Sequence, residues 1–189
     1  MTMKREFHIK FGQAQDHSID YLLGMLTDAR LTTIQSIEKL PDDLMDWQYD
    51  KDWNTVGALL SHIIATEHFF RIEFVKGRPL TAAENDELLP ALDMGEHIPK
   101  LRLQQPVQSY IDALHASRKM MVEAVKDVSF HDFSKKIDGY DKQEGCNLAW
   151  ALYHMVEDEI YHRGQISLIK KLYQHSGAAD HEHPRIETG

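Results

Sequence analysis

The stretch from Asn147 to Tyr173, NLAWALYHMVEDEIYHRGQISLIKKLY, constrains this chain more than any other. It has no Pro and one internal Gly, opens on an Asn suited to cap a helix, and is followed by Gly177 as a stop signal. Winding at about 100° per residue stacks His154, Asp158 and His162 at roughly 0°, 40° and 80°. Leu148, Ala151, Met155, Ile166 and Ile169 fall between roughly 60° and 120° on the same wheel. The two His and the Asp therefore lie on the side that should be buried. An ionised carboxylate without a partner is very costly in a dry interior. A metal ion is one partner that satisfies all three side chains; Arg163 or Lys170, from another turn or another subunit, is the other kind.

The rest of the chain supplies three more long helical patterns. Ile19, Leu22, Leu23, Leu26, Ala29, Thr33, Ile34 and Ile37 keep helical spacing from about His17 to Leu40, closed by Pro41. After a turn-rich segment whose Trp47, Tyr49 and Trp53 should cover one end of the core, Asn54 or Thr55 can cap a second helix ending near Lys76. Its stripe is Val56, Leu59, Ile63, Phe70 and Phe74, with His62 beside it. A third helix is expected from about Pro106 to Asp127. Between Gly77 and Gln104, Pro79, Pro90, Gly95 and Pro99 argue against a long helix. Such a long connection lets the third helix run parallel to the second, whereas short turns force antiparallel neighbours. Residues 129–145 read as a short irregular hairpin turning at Asp138-Gly139. Four helices with little strand make an all-α four-helix bundle the expected fold class.

With 189 residues, 42% of them hydrophobic, the chain can build one core; a single domain is expected over 1–175, with a loose tail at 176–189. A net charge of -9 argues against a nucleic-acid surface. The lone Cys146 fits a reducing compartment, and neither a signal-peptide core nor a bilayer-spanning apolar run is visible, so a cytoplasmic protein is expected. The last helix also carries Leu152, Val156 and Ile160 on a second face, which suggests burial against a second subunit.

The constellation with most chemical content joins His62 to Asp158 and His162. Side chains at i and i+4 grip an ion from one side, and a ligand from a facing helix closes a three-point site with positions left open. Two imidazoles and a carboxylate suit Zn or Ni, and with open positions also Mn or Fe(II). His154, one turn before Asp158, is a substitute ligand or an outer partner. The commoner role of a His near an apolar stripe is packed and hydrogen-bonded, and short His/Asp patterns recur without a metal. Glu159 and His162 make one Glu-x-x-His where a di-iron bundle needs two, and His-Glu-x-x-His is absent. Cys146, at the start of the last helix, is placed where a helix N-terminus lowers a thiol's pKa. His181 and His183 read as solvated.

LYHMVEDEIYHRGQISLI closely resembles the last-helix signature of the DinB-like family, His-x-x-x-His-x-x-x-His-Arg-Gly-Gln, and NTVGALLSHIIATEHFF resembles its second-helix signature. The resemblance implies a four-helix bundle of up-down-down-up order, often a homodimer, with a metal commonly bound by three His. By position, His62 matches the second-helix ligand and His162 the last ligand, before Arg163-Gly164-Gln165. The middle ligand falls on Asp158, where the family usually has His; either Asp158 ligates in its place or the metal is lost or bound differently. Ligation by His62, Asp158 and His162 is the reading adopted, with His154, Glu67 and Arg163 around them. Relatives are described as thiol S-transferases using low-molecular-weight thiols or as mycothiol-dependent isomerases. The expected activity is therefore transfer of a small thiol to an electrophilic substrate. The alternatives are a hydrolase using metal-bound water and a non-catalytic, metal-binding, dimeric stress protein.

Overall fold

The computed structural model describes residues 9, 11–137 and 145–177. Among them, four helices have fifteen or more residues: α1 (His17–Ile37), α2 (Val56–Phe70), α4 (Val107–Val125) and α6 (Leu148–His175). Two shorter ones, α3 (Ala82–Asp93) and α5 (Phe130–Ser134), fall in the connections. The described residues form no strand, and the one pairing is an isolated antiparallel bridge between Ile137 and Cys146.

Each long helix starts where the sequence offers a cap or a permissive first turn. The Asp16 side chain accepts from the Ser18 and Ile19 amides, Thr55 from Ala58 and Asn147 from Trp150, satisfying donors that a helix leaves unpaired at its start. Pro106 precedes α4, where a missing amide hydrogen costs nothing. Past Phe70, α2 widens into a π turn over Arg71–Val75 before Gly77 turns the chain at a positive φ of 63°.

The long helices close on one another around a shared interior: α1 packs on α6, α6 on α2, α2 on α4 and α4 on α1. One apolar cluster joins Leu59, Leu60 and Ile63 of α2 with Tyr110 and Leu114 of α4 and Ile166 and Ile169 of α6. A second joins Leu23 and Leu26 of α1, Met121 and Val125 of α4, and Leu148, Leu152 and Met155 of α6, with Phe70 between them. Trp47 covers the end of the first cluster edge-on against Tyr173, at 5.4 Å between ring centroids. Gly57 is required by close approach: a Cβ there would stand 2.6 Å from Tyr110 Oη and 3.0 Å from the Met45 carbonyl oxygen.

One connection differs from expectation. Residues 77–104 hold the twelve-residue α3, despite Pro90. A capping box at Thr81 and Glu84 starts it, and Arg78 grips Glu84 through two 2.7 Å bonds. Pro90 removes one amide hydrogen and crowds the carbonyl four residues before it, a cost the helix carries in its last turn. Ala91 and Leu101 then pack on Ala58 and Ala65, laying this connection along α2. In the stretch where a short irregular hairpin was expected, Phe130–Ser134 form a helical turn capped by Ser129, and Ile137 then pairs with Cys146 in an antiparallel bridge. The expected Asp138-Gly139 turn, His181 and His183 lie outside the described residues.

Candidate metal centre

α2 presents His62, and α6 presents Asp158 and His162 one turn apart, so that one ligand atom from each lies within 4.8 Å of the others. The side chains retain 16%, 13% and 6% of their accessible surface, enough for one open edge. Asp158 sits in the middle. Its Oδ2 is 3.3 Å from His62 Nε2 and its Oδ1 is 3.0 Å from His162 Nε2, with the imidazoles edge-on at 4.9 Å between centroids.

The outer ring nitrogens decide what the inner ones can do. His62 Nδ1 donates to the Ala91 carbonyl oxygen at 2.8 Å, and His162 Nδ1 donates to Gln165 Oε1 at 3.2 Å. A neutral imidazole has one N–H. With that hydrogen committed outward, each Nε2 turns a lone pair toward the Asp158 carboxylate. Three electron-rich atoms then converge, with the Thr66 hydroxyl 3.4 Å from His62 Nε2 as one neutral donor, and a cation there, either a proton on a ring or a metal ion, satisfies all three. An ion bound by N and O ligands at about 2.0–2.2 Å separates neighbouring ligand atoms by roughly 3–3.5 Å; the two His–Asp spacings fall in that range, each on a different carboxylate oxygen, and the ligand atoms of all three residues lie within 4.8 Å of one another. The donor set therefore fits a divalent cation, and outward N–H bonds to carbonyl groups are the usual way a protein holds ligating imidazoles.

The proton alternative is visible in the charge balance. Burial disfavours the charged form of His62, but its hydrogen bond to Asp158 and that carboxylate's charge outweigh it, with help from the Ala91 and Leu92 backbone, and its pKa is raised. Burial pushes the Asp158 carboxyl up, but hydrogen bonds with His162 and His62 hold it well below the usual carboxylate range.

The residues expected around this cluster have other partners. The His154 ring stacks on Trp150 at 4.8 Å and 7°, with its Nδ1 3.6 Å from Glu157, so it is occupied on the outer side of α6. Arg163 donates to the Ala29 carbonyl and the Thr32 hydroxyl, clamping α6 to α1; it does not orient Asp158. Lys170, considered as a partner for Asp158, donates to the Ser36 carbonyl oxygen at 2.6 Å. The Cys146 thiol is pushed up by burial, contrary to the lowered value expected at a helix start.

Glu67 belongs to an arrangement that sequence reasoning missed. Arg30 of α1, Glu67 of α2, Arg118 of α4 and Glu159 of α6 form a closed ring of alternating charge, each residue at most 7% exposed. Arg30 reaches Glu159 at 2.7 Å and Glu67 at 3.2 Å; Arg118 reaches Glu67 at 2.5 Å and Glu159 at 2.8 Å. The remaining guanidinium donors go to the Leu114 and Leu26 carbonyls, and Ser117 donates to Glu67. Burial alone would raise the Glu67 carboxyl, but Arg118 and Arg30 pull it below its ordinary value. Glu67 and Asp158 face each other only across a tight interior gap that they share with Thr66 and Met155. The available signal was a charge standing on the apolar stripe of each helix, as Arg30 does between Leu26 and Ile34 and Arg118 between Leu114 and Met121.

Beyond Gln165 opens a cleft of about 300 Å³, between the turn at Asp52, Trp53 and Asn54 and the Leu168–Ile169 step of α6. Among the described residues no helix is long and apolar enough to cross a membrane. No curated protein matches the chain. The sequence model of the DinB superfamily matches residues 25–166, a span that holds His62, Asp158, His162 and all four members of the charge ring. This chain therefore belongs to the DinB superfamily.

Proposed function

We propose that this protein is a divalent-metal enzyme that transfers a low-molecular-weight thiol to a small electrophile. The observation that carries the metal reading is the convergence of two imidazole Nε2 atoms on one carboxylate while both Nδ1 hydrogens are spent on outward acceptors. His62, Asp158 and His162 would hold the ion, Zn or Ni before Mn or Fe, and the cluster's exposed edge would leave room for a non-protein ligand. A divalent ion supplies Lewis acidity, which favours the thiolate form of a thiol at neutral pH. Cys146, whose backbone pairs with Ile137 in the bridge, is not among the clustered residues, which supports a thiol from outside the chain as the reacting sulfur. In the transfer the thiol gives up its S–H proton to solvent water, the sulfur electron pair forms the bond to the electrophilic carbon, and the bond from that carbon to the leaving group breaks, its electron pair departing with the leaving group. Ala91 and Gln165 keep both rings facing inward throughout.

The finer architecture we propose is an up-down-down-up bundle; the connection laid along α2 supports α4 running parallel to it. Of the face expected to meet a second subunit, Leu152 and Val156 are buried in this chain's own core and only Ile160 is exposed; together with the exposed Trp150, Tyr153 and Tyr161 it supports a second copy docking on α6 as a homodimer.

The test is metal content by elemental analysis of untagged protein beside His62→Ala, Asp158→Ala and His162→Ala, followed by product formation with and without added small thiols. About one ion per chain, lost in all three variants, together with thiol-dependent product, is the expected result. Turnover without thiol moves the reading to hydrolysis. Failure of the wild type to take up Zn, Ni or Mn ends the enzyme reading.

A further inference from the structure

We propose that the cleft lined by Asp52, Trp53, Asn54, Gln165, Leu168 and Ile169 is a binding site for a small amine-bearing molecule with a flat apolar group. At about 300 Å³ it lies at the small end of ligand sites, suited to a single ring and a short chain. Its apolar walls are large side chains left open to solvent: Trp53 is 39% exposed and Leu168 48%, although both stand beside core residue Ile169.

The turn carrying Trp53 is braced in place. Gln48 Nε2 donates to the Lys51 carbonyl at 2.9 Å and to the Trp53 carbonyl, its Oε1 accepts from Arg102, and the Trp53 ring leans on Tyr49 at 5.0 Å. A fixed indole offers a ring-sized surface at little entropic cost, and its face attracts cations.

Charge selects the ligand. The lining contributes one carboxylate, Asp52, and no basic side chain, in a chain whose net charge is -9. An ammonium group gains from both Asp52 and the Trp53 face, while an anion is repelled. Gln165 ties the cleft to the cluster: it lines the cleft, and its Oε1 is the acceptor for His162 Nδ1. A molecule seated here lies one side chain from His162, on the side of that ring which faces away from Asp158. The inference rests on the metal reading only for what happens to the bound molecule; binding itself requires no ion.

The experiment titrates the full chain with phenethylamine, phenethyl alcohol and phenylacetate at neutral pH, with and without zinc. It follows the Trp53 indole N–H, assigned by its loss in Trp53→Phe, and the Gln165 side-chain amide by proton–nitrogen NMR. Expected are saturable shifts of both signals, with phenethylamine at least about tenfold tighter than phenylacetate. Asp52→Asn, at an exposed position, should bring the amine to the alcohol's affinity and leave the alcohol unchanged. No saturable shift at Trp53, an amine preference that survives Asp52→Asn, or the same shift on raising protein concentration alone (a second copy in the cleft) would overturn the proposal. Probe binding in a protein that never takes up zinc removes the metal reading and keeps this one; zinc uptake without probe binding does the reverse.

Discussion

The charge ring and the His/Asp cluster are neighbours, joined through the consecutive residues Asp158 and Glu159, and both are buried polar assemblies linking α2 to α6. The ring is complete in itself. Two guanidiniums face two carboxylates, and their spare donors end on the Leu114 and Leu26 carbonyls and their spare acceptor on Ser117. The cluster is incomplete, because one carboxylate meets two imidazoles whose hydrogens point elsewhere. Burial of polar groups is common to both and says nothing about which is functional. What distinguishes them is the balance of donors and acceptors: a saturated network holds helices together, and an excess of lone pairs aimed at one point holds a cation.

That contrast breaks first at the ring. Arg118→Met leaves Glu67 and Glu159 short of a buried partner and should cost about 3–5 kcal/mol in urea unfolding. A loss under about 1 kcal/mol would mean that the ring is not a closed unit. At the cluster the expected change has the opposite origin, since adding an ion stabilises. Zinc at a hundredfold excess over its dissociation constant should raise the unfolding free energy by about 2.7 kcal/mol, and His162→Ala should abolish the gain. If His162→Ala keeps it, the ion binds elsewhere.

A smaller effect comes from pH. The raised pKa of His62 means that its pairing with Asp158 contributes fully below the ordinary His value of about 6.5 and is lost as pH rises through the folded value. The lowered Asp158 contributes above the ordinary Asp value of about 3.9 and loses that contribution as pH falls toward its folded value. Zinc-free protein should therefore gain most from this pair between those two ordinary values and weaken toward alkaline pH. Because zinc competes with the proton on His62, the stabilisation by zinc should grow over the same alkaline range. Parallel zinc-free and zinc-loaded melting curves across pH check this, and curves that keep a constant separation contradict it. The smallest effect is Arg163→Ala, which removes the bonds to Ala29 and Thr32 and should cost about 1 kcal/mol without changing zinc content. A fall in zinc content would return Arg163 to the cluster.

The long helices were legible because their apolar stripes repeat with helical period and because Thr55 and Asn147 mark starts that local chemistry alone determines. His62, Asp158 and His162 could be named because an i, i+4 pair on a buried face is a local signal, a His beside the apolar stripe of the second helix offered the third residue, and the family signature matched its position. The ring was not legible as a unit. Arg30 and Glu159 lie 129 positions apart, and each charge by itself resembles an ordinary surface residue until four stripes are laid side by side. In α3 the start signal at Thr81 and Glu84 was as local as any, but Pro90 was read as a helix breaker when it sits in the final turn. The cleft depends on a turn folding back onto α6, which no periodicity encodes.

The group that turns His62 inward is the main-chain oxygen of Ala91, one of the carbonyls that α3 leaves unpaired at its C-terminal end. Every amino acid carries that oxygen, so exchanging residue 91 for another does not delete it. Changes in the length of the 77–104 connection do, because they carry the carbonyl away from the ring. Within this architecture the basicity and aim of the His62 nitrogen that faces Asp158 are set by loop length rather than by residue identity. Insertions and deletions in that connection are accordingly the changes by which descendants of this chain, or engineers, would retune the cluster while His62, Asp158 and His162 stayed in place.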